Sequence, residues 1–256
     1  MEMNRRKFIT LAGAAAAIGL GSTKGLELVA AGTAHDNHDG DGVRWAMVIN
    51  IRQFKKHPEL KDKCVRACHL IHNVPKIDNP KHEIKWIWKE PFEHAFIEQE
   101  NHHLPEDILH DHVLLLCNHC DNPPCTSVCP TQATWKREDG IVMMDWHRCV
   151  GCRYCMAACP YGSRSFNWFD PRKDLKQINT QFPTRTKGVV EKCTFCDERL
   201  ARGKNPACAD AVAGKNALWF GDLNDPKSDV REILANHFSI RRKPELGTQP
   251  EVYYLI

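Results

Sequence analysis

The spacing of the cysteines constrains this chain more than any other feature. Cys149-Val-Gly-Cys152-Arg-Tyr-Cys155-Met-Ala-Ala-Cys159-Pro160 reads C-x2-C-x2-C-x3-C-P. Such a run wraps three thiolates around one 4Fe–4S cubane and sends the fourth, at the next helical turn, to a different cubane. Gly151 is expected to let the backbone pass close to the inorganic core. Zinc fits poorly, because zinc knuckles use pairs of C-x2-C and stop at four ligands. A second run, Cys117-Asn-His-Cys120-Asp-Asn-Pro-Pro-Cys125-Thr-Ser-Val-Cys129-Pro130, repeats the pattern with two extra residues before its third cysteine. Pro123 and Pro124 make that insertion a stiff turn. The runs are expected to exchange their fourth cysteines. One cluster then takes Cys117, Cys120, Cys125 and Cys159, and the other takes Cys149, Cys152, Cys155 and Cys129. Residues 133–136 and 141–144 flank Asp139-Gly140 and predict a β-hairpin between the runs.

The remaining cysteines read as a second, damaged pair of runs that brackets the first. Downstream, Cys193-Thr-Phe-Cys196 is followed after a longer loop by Cys208, and the expected fourth cysteine is replaced by Val212. Upstream, Cys64-Val-Arg-Ala-Cys68 is the tail of a run whose first two cysteines are missing, with Arg52-Gln53-Phe54 standing about where the first would be. Pairing logic gives one complete set, Cys193, Cys196, Cys208 and Cys68, and one set reduced to Cys64 alone. Three clusters would use twelve of the thirteen cysteines and leave Cys64 over. A stretched haem-attachment signal at Cys64, Cys68 and His69 is the rival reading. It would strip the third cluster of a ligand.

The N-terminus reads as a targeting segment. Arg5-Arg6-Lys7-Phe8-Ile9 is a twin-arginine pair with an apolar follower, and a short Ala/Gly-rich stretch from Leu11 to Leu20 comes next. Residues 1–34 are therefore expected to be a twin-arginine signal, with cleavage after Ala31 or Ala34. That route carries folded proteins to the periplasmic side of the cytoplasmic membrane. No segment approaches the roughly 20 apolar residues of a spanning helix. An exported, cysteine-rich chain would ordinarily be a disulfide scaffold, but such domains are usually under about 80 residues. Eleven of the cysteines also cluster between Cys117 and Cys208 in metal-binding spacing. The formal charge of +3 is too mild to argue for nucleic acid, and no dense basic stripe exists.

Other features have plainer readings. The 14 histidines are expected to be solvated or hydrogen-bonded surface groups, with His119, inside a cluster loop, placed to tune a potential. Trp86, Trp88, Phe92 and Phe96 read as packing or a partner surface. Lys192, Arg199 and Arg202 either offset the charge of the third cluster or solvate a loop. Ser228 is a candidate N-cap for a helix to about Ala235. Residues 251–256 read as a strand able to pair with 45–51, closing the fold end to end and bringing Cys68 near Cys193–Cys208.

Four such runs behind a twin-arginine signal resemble the iron–sulfur electron-transfer subunits of dimethyl sulfoxide reductase, polysulfide reductase and formate-linked nitrite reductase systems. The stretches that carry the likeness include Cys117 to Cys125, Cys149 to Gly162, Arg164 to Trp168, Pro183 to Cys193 and Ile240 to Thr248. Within that group the sequence looks most like the DsrO-type subunits of sulfite-reduction-associated complexes. The resemblance implies an α+β fold of duplicated bacterial two-cluster ferredoxin-like modules with short helices and β-hairpins. Residues 114–180 would form the inner two-cluster module, and 35–113 with 181–256 an outer half holding one cluster. It also implies a periplasmic relay without substrate chemistry, held by a polytopic membrane subunit that handles menaquinol. A multihaem cytochrome c and further membrane and cytoplasmic redox subunits would complete the complex. The alternatives are the same relay for a molybdenum-type or nitrite reductase, or an exported binding module stabilised by disulfides or zinc.

Overall fold

The computed structural model describes residues 42–99 and 103–256, so the expected signal at 1–34 lies outside the described residues. Strand β1 (Trp45–Asn50) is buried on both faces from Ala46 to Ile49, as suits an interior strand with apolar residues in succession. The Asn50 side chain caps helix α1 (Ile51–Lys56) by accepting the Gln53 N–H at 3.1 Å. Helix α2 (Glu59–Ile71) follows at Pro58, with Glu59 and Asp62 in its first turn. Leu60, Cys64 and Cys68, four residues apart, form its buried stripe. Strands β2 (Ile87–Pro91) and β3 (His112–Leu116) make an antiparallel pair that delivers the chain to Cys117.

The central segment is short-jointed. Helix α3 (Pro124–Ser127), strands β4 (Thr134–Lys136) and β5 (Val142–Met144), helix α4 (Tyr154–Ala158) and strands β6 (Ser165–Phe166) and β7 (Val190–Glu191) carry the two inner cysteine runs. β4 and β5 form the expected hairpin, Thr134 facing Met144, and Gly140 turns it at φ +83. Helices α5 (Asp197–Leu200) and α6 (Ala207–Asp210) carry the next cysteines, and α6 packs on α2. Strand β8 (Leu218–Asp222), helix α7 (Asp229–Asn236) and strands β9 (Ser239–Ile240) and β10 (Val252–Leu255) end the chain.

The largest sheet has the order β8-β1-β10-β9. β10 runs parallel to β1, with Met47 opposite Val252, so the C-terminal strand does pair with the first one. Ser228 does stand at the N-cap of α7, yet its hydroxyl makes no capping bond. It sits instead against Gly221 on β8, in space that a Cβ at that position would fill. Fold class is therefore mixed helix and strand in small sheets. Among the described residues no helix is long and apolar enough to cross a membrane.

A buried polar knot joins the early and middle parts of the chain. Arg185 and Glu191 form an ion pair at 2.7 Å with both side chains fully buried. Trp86 Nε1 donates to the same carboxylate at 2.8 Å, and Asn167 donates to its other oxygen. Arg185 also donates to the carbonyls of His72, Pro183 and Asn73, and its guanidinium lies over the rings of Trp86, Trp146 and Phe182. The aromatic run from Trp86 to Phe96 is thus core packing. Removing one partner of such a pair leaves an uncompensated buried charge. Arg185→Met is expected to destabilise by about 3–5 kcal/mol. Lys55→Met, which breaks the exposed Lys55–Asp107 pair, should cost no more than about 1 kcal/mol. Anaerobic denaturant titration followed by circular dichroism checks the contrast.

Candidate metal centre

The same backbone shape occurs three times. In each C-x-x-C loop the residue before the second cysteine has a left-handed φ: His119 at 43, Gly151 at 72 and Phe195 at 55. Only glycine adopts this region without steric cost, so two bulky residues in it at matched positions mark a built feature. In the third loop the turn aims the Phe195 N–H at Cys193 Sγ, 3.4 Å away. At Gly151 the freedom serves chain packing. A Cβ there would lie 2.4 Å from the Gly188 carbonyl oxygen and 3.1 Å from the Phe166 ring.

Cys117, Cys120, Cys125 and Cys159 line one cavity with Arg164. Burial raises Cys120, and the neighbouring charges of Cys117, Cys159 and Cys125 raise it further. Cys155 is raised mainly by burial and also faces Cys149 and Cys129. Cys152, the remaining member of that run, is exposed. Burial opposes ionisation of Cys129, but hydrogen bonds from the Thr134 backbone, the Thr131 hydroxyl and backbone, and the Ala133 backbone hold its pKa below the usual thiol value.

Cys68 is pushed well up by burial, and its neighbouring charges are Cys193, Cys196 and Cys208. α2 packed on α6 brings about this meeting of residues far apart in sequence. Cys64, one turn earlier on α2, behaves differently. Its Sγ donates to the Cys208 carbonyl at 3.4 Å, and burial pushes its thiol to about 12. All 13 cysteines lie among the described residues and none is disulfide-bonded.

His72, expected at the surface, is buried, and so is His119 in its cluster loop. His72 is 1% exposed and stacks on Trp86. Its Nδ1 lies 3.5 Å from Cys68 Sγ and 2.9 Å from the Cys68 carbonyl oxygen, and its Nε2 lies 3.2 Å from Glu198. Burial alone would raise Glu198, but the bond and charge of His72 hold it below its ordinary value. His72, Cys196 and Glu198 bring ligand atoms within 4.8 Å of one another. Cys196 is at the same time a neighbouring charge of Cys68. His119 is fully buried, stacks on Phe195 at 3.7 Å, and its Nδ1 accepts the Val142 N–H at 3.1 Å. The surface expectation fails at His72 because its ring packs against Trp86 and Phe182 in the core.

Positive charge is buried with the thiols. Arg164 donates to Cys125 Sγ and to Thr134 Oγ1, each at 2.9 Å. Burial would lower its pKa, but Cys125, Cys155 and Cys117 raise it overall. Lys192 donates to the carbonyls of Val142 and Cys193. Burial lowers it on balance, against the opposing pull of Cys117, Cys193 and Cys125. Of the three cations expected around the third group, Lys192 is the buried one. Arg199 ties down the loop through Asn205 and Asp210, and Arg202 is exposed. Buried thiols pushed upward would stay protonated without a positive partner. Iron supplies one, and the two buried cations then balance an anionic cluster. The donor set therefore fits 4Fe–4S centres.

Sequence reasoning assigned no role to Arg164, Arg185, Glu191, His72 or Glu198. A buried charge has no periodic signature, and only the position of Arg164 just after Cys159-Pro160 hinted at a place beside the thiols.

Known proteins share this chemistry. Residues 110–174, which hold all eight cysteines of the two inner runs, match the 4Fe-4S dicluster domain family. The chain is 40% identical over 272 aligned positions to the Hdr-like menaquinol oxidoreductase iron-sulfur subunit 1 of Archaeoglobus fulgidus, covering 98% of this chain and 97% of that one. It is 35% identical over 240 positions to the menaquinone reductase iron-sulfur cluster-binding subunit of Nitratidesulfovibrio vulgaris, covering 83% and 89%. Identity to the polysulfide reductase B subunit of Wolinella succinogenes is 46% over 138 positions, covering 54% of this chain and 63% of the relative. The thiol groups, the dicluster match and the full-length likeness converge: the chain belongs to the family of 4Fe–4S electron-transfer subunits of quinone-linked membrane oxidoreductase complexes.

Proposed function

We propose that this chain relays single electrons through three 4Fe–4S clusters, on the periplasmic side of a menaquinone-linked membrane complex associated with sulfite reduction. The proposed ligand sets are Cys117, Cys120, Cys125 and Cys159; Cys149, Cys152, Cys155 and Cys129; and Cys193, Cys196, Cys208 and Cys68. A bound cluster of this kind supplies one-electron exchange with little rearrangement. The observation that carries the third set is the recurrence of the left-handed C-x-x-C loop at Cys193–Cys196, with Cys68 facing it. The space of a fourth set is otherwise used. Phe54, Leu60, Cys64 and Val212 are all buried in the main apolar core.

The three sets would lie in series. Cys193 is raised first by burial and next by the charge of Cys117, which makes the Cys68 and Cys117 sets neighbours. Arg164 faces Cys125 and Cys155 together and so joins the Cys117 and Cys149 sets. The exposed Cys152 puts one end of the series at the surface.

The quinone link draws on length of match. Relatives named for menaquinol or menaquinone chemistry align over 98% and 83% of this chain, whereas the polysulfide reductase relative aligns over 54%. The reading includes a polytopic quinone-interacting subunit, a multihaem cytochrome c, and further membrane and cytoplasmic redox subunits as partners. The Arg5-Arg6 pair supports export by the twin-arginine route.

Anaerobically purified protein is expected to hold about twelve irons and twelve acid-labile sulfides per chain. About eight would remove the third set, and about sixteen would require ligands beyond those named. Cys68→Ser is expected to lose one of three signals in low-temperature EPR of the reduced protein. Cys64→Ser should keep all three, and equal loss in both variants would overturn the assignment.

A further inference from the structure

We infer that Lys192 and Arg164 are fixed counter-charges that set the reduction potentials of the series, Lys192 at the joint between the Cys68 and Cys117 sets and Arg164 at the joint between the Cys117 and Cys149 sets. The inference rests on the three-cluster reading. Lys192 is 0% and Arg164 4% exposed, and their hydrogen-bond partners are carbonyl oxygens, a hydroxyl and sulfur rather than carboxylates. Lys192 has two backbone carbonyls as hydrogen-bond acceptors, and Arg164 has Cys125 Sγ, Thr134 Oγ1 and, at 3.8 Å, the Met144 sulfur. An ammonium and a guanidinium held so dry are costly unless an anion lies close. The anions at hand are chiefly cysteine sulfurs, Cys117, Cys193 and Cys125 around Lys192 and Cys125, Cys155 and Cys117 around Arg164, with the Asp197 carboxylate also bearing on Lys192.

The sharing is asymmetric. The Cys117 set faces both cations. The Cys149 set faces Arg164 through Cys155. The Cys68 set faces Lys192 through Cys193 and Arg199 through Cys196, but Arg199 is already paired with Asp210, and Glu198 bears on Cys68, Cys193 and Cys196. Reduction adds one electron and makes or breaks no bond. A fixed positive charge in a dry interior favours the more negative state, and a carboxylate disfavours it. The Cys117 set is therefore easier to reduce than the Cys68 set, and each cation acts chiefly on two sets.

The test is EPR-monitored redox titration of the full chain with its clusters, each signal assigned by its loss in Cys120→Ser, Cys152→Ser or Cys68→Ser. Lys192→Met is expected to shift the Cys117 and Cys68 signals to lower potential and leave the Cys149 signal in place. Arg164→Met should lower the Cys117 and Cys149 signals and leave the Cys68 signal. Lys192→Arg and Arg164→Lys should stay near the parent values, because they keep the charge. In the unmodified protein the signal lost in Cys68→Ser should titrate below that lost in Cys120→Ser. That measurement decides even where a methionine variant fails to load iron. A reversed order, or equal shifts in the methionine and charge-keeping variants, overturns the inference. So does a loaded methionine variant with unmoved potentials. Fewer than about twelve irons in the parent protein would instead overturn the three-cluster reading beneath it.

Discussion

Sulfur that must carry negative charge in a dry interior needs positive charge beside it, and the architecture follows from that requirement. Burial pushes Cys68, Cys120, Cys193, Cys196 and Cys208 upward, so none is a comfortable thiolate by itself. The helices that present these groups are only four or five residues long outside α2. Such helices are too short to persist alone. The central segment is thus a set of loops whose shape is fixed by what its cysteines hold. Metal binding and folding are one equilibrium there.

The outer part of the chain works by a different balance. β1 lies between β8 and β10 with four successive residues fully buried, and the β2–β3 pair packs in the same apolar core. The Arg185–Glu191 knot ties the turn after α2 to β7, next to the loop of Cys193. Cys68 reaches its neighbours because this frame places α2 against α6. The frame supplies position, and the short loops supply ligands.

The inner thiol groups were legible because chemistry fixes their spacing: a cubane has four corners, and a C-x2-C-x2-C-x3-C-P run reaches only so far. The pairing of β1 with β10 was legible because both are apolar runs at the ends of the chain. That Cys68 lies near Cys193, Cys196 and Cys208 was expected by counting. The charges did not follow. Arg164 and Lys192 sit in stretches that read equally well as a solvated loop, and nothing in the order of residues says that Met144, Thr134 and the Val142 carbonyl will close over them. The depth at which His72 and His119 are buried did not follow either. A histidine filling a gap between loops owes its burial to residues distant in sequence, Trp86 and Phe182 for one ring and Phe195 for the other.

On the three-cluster reading Cys64 is the cysteine left without a cluster. It occupies the same stripe of α2 as Cys68, one turn earlier, and it is equally shielded from water. What differs is company. Cys68 faces three thiols and an imidazole, whereas Cys64 has one thiol beside it, that of Cys208, with the Cys208 carbonyl for its proton and Phe54, Leu60 and Val212 in the same core. A thiol with a carbonyl acceptor and apolar surroundings is content to remain neutral, and free cysteine packs as a small hydrophobe. Phe54 and Val212, where a fourth set would need ligands, contribute apolar burial instead. On the three-cluster reading, the end of the series beyond Cys68 is closed by that apolar packing. Electrons would then enter or leave through the Cys68 set itself and the exposed Cys152 at the far side.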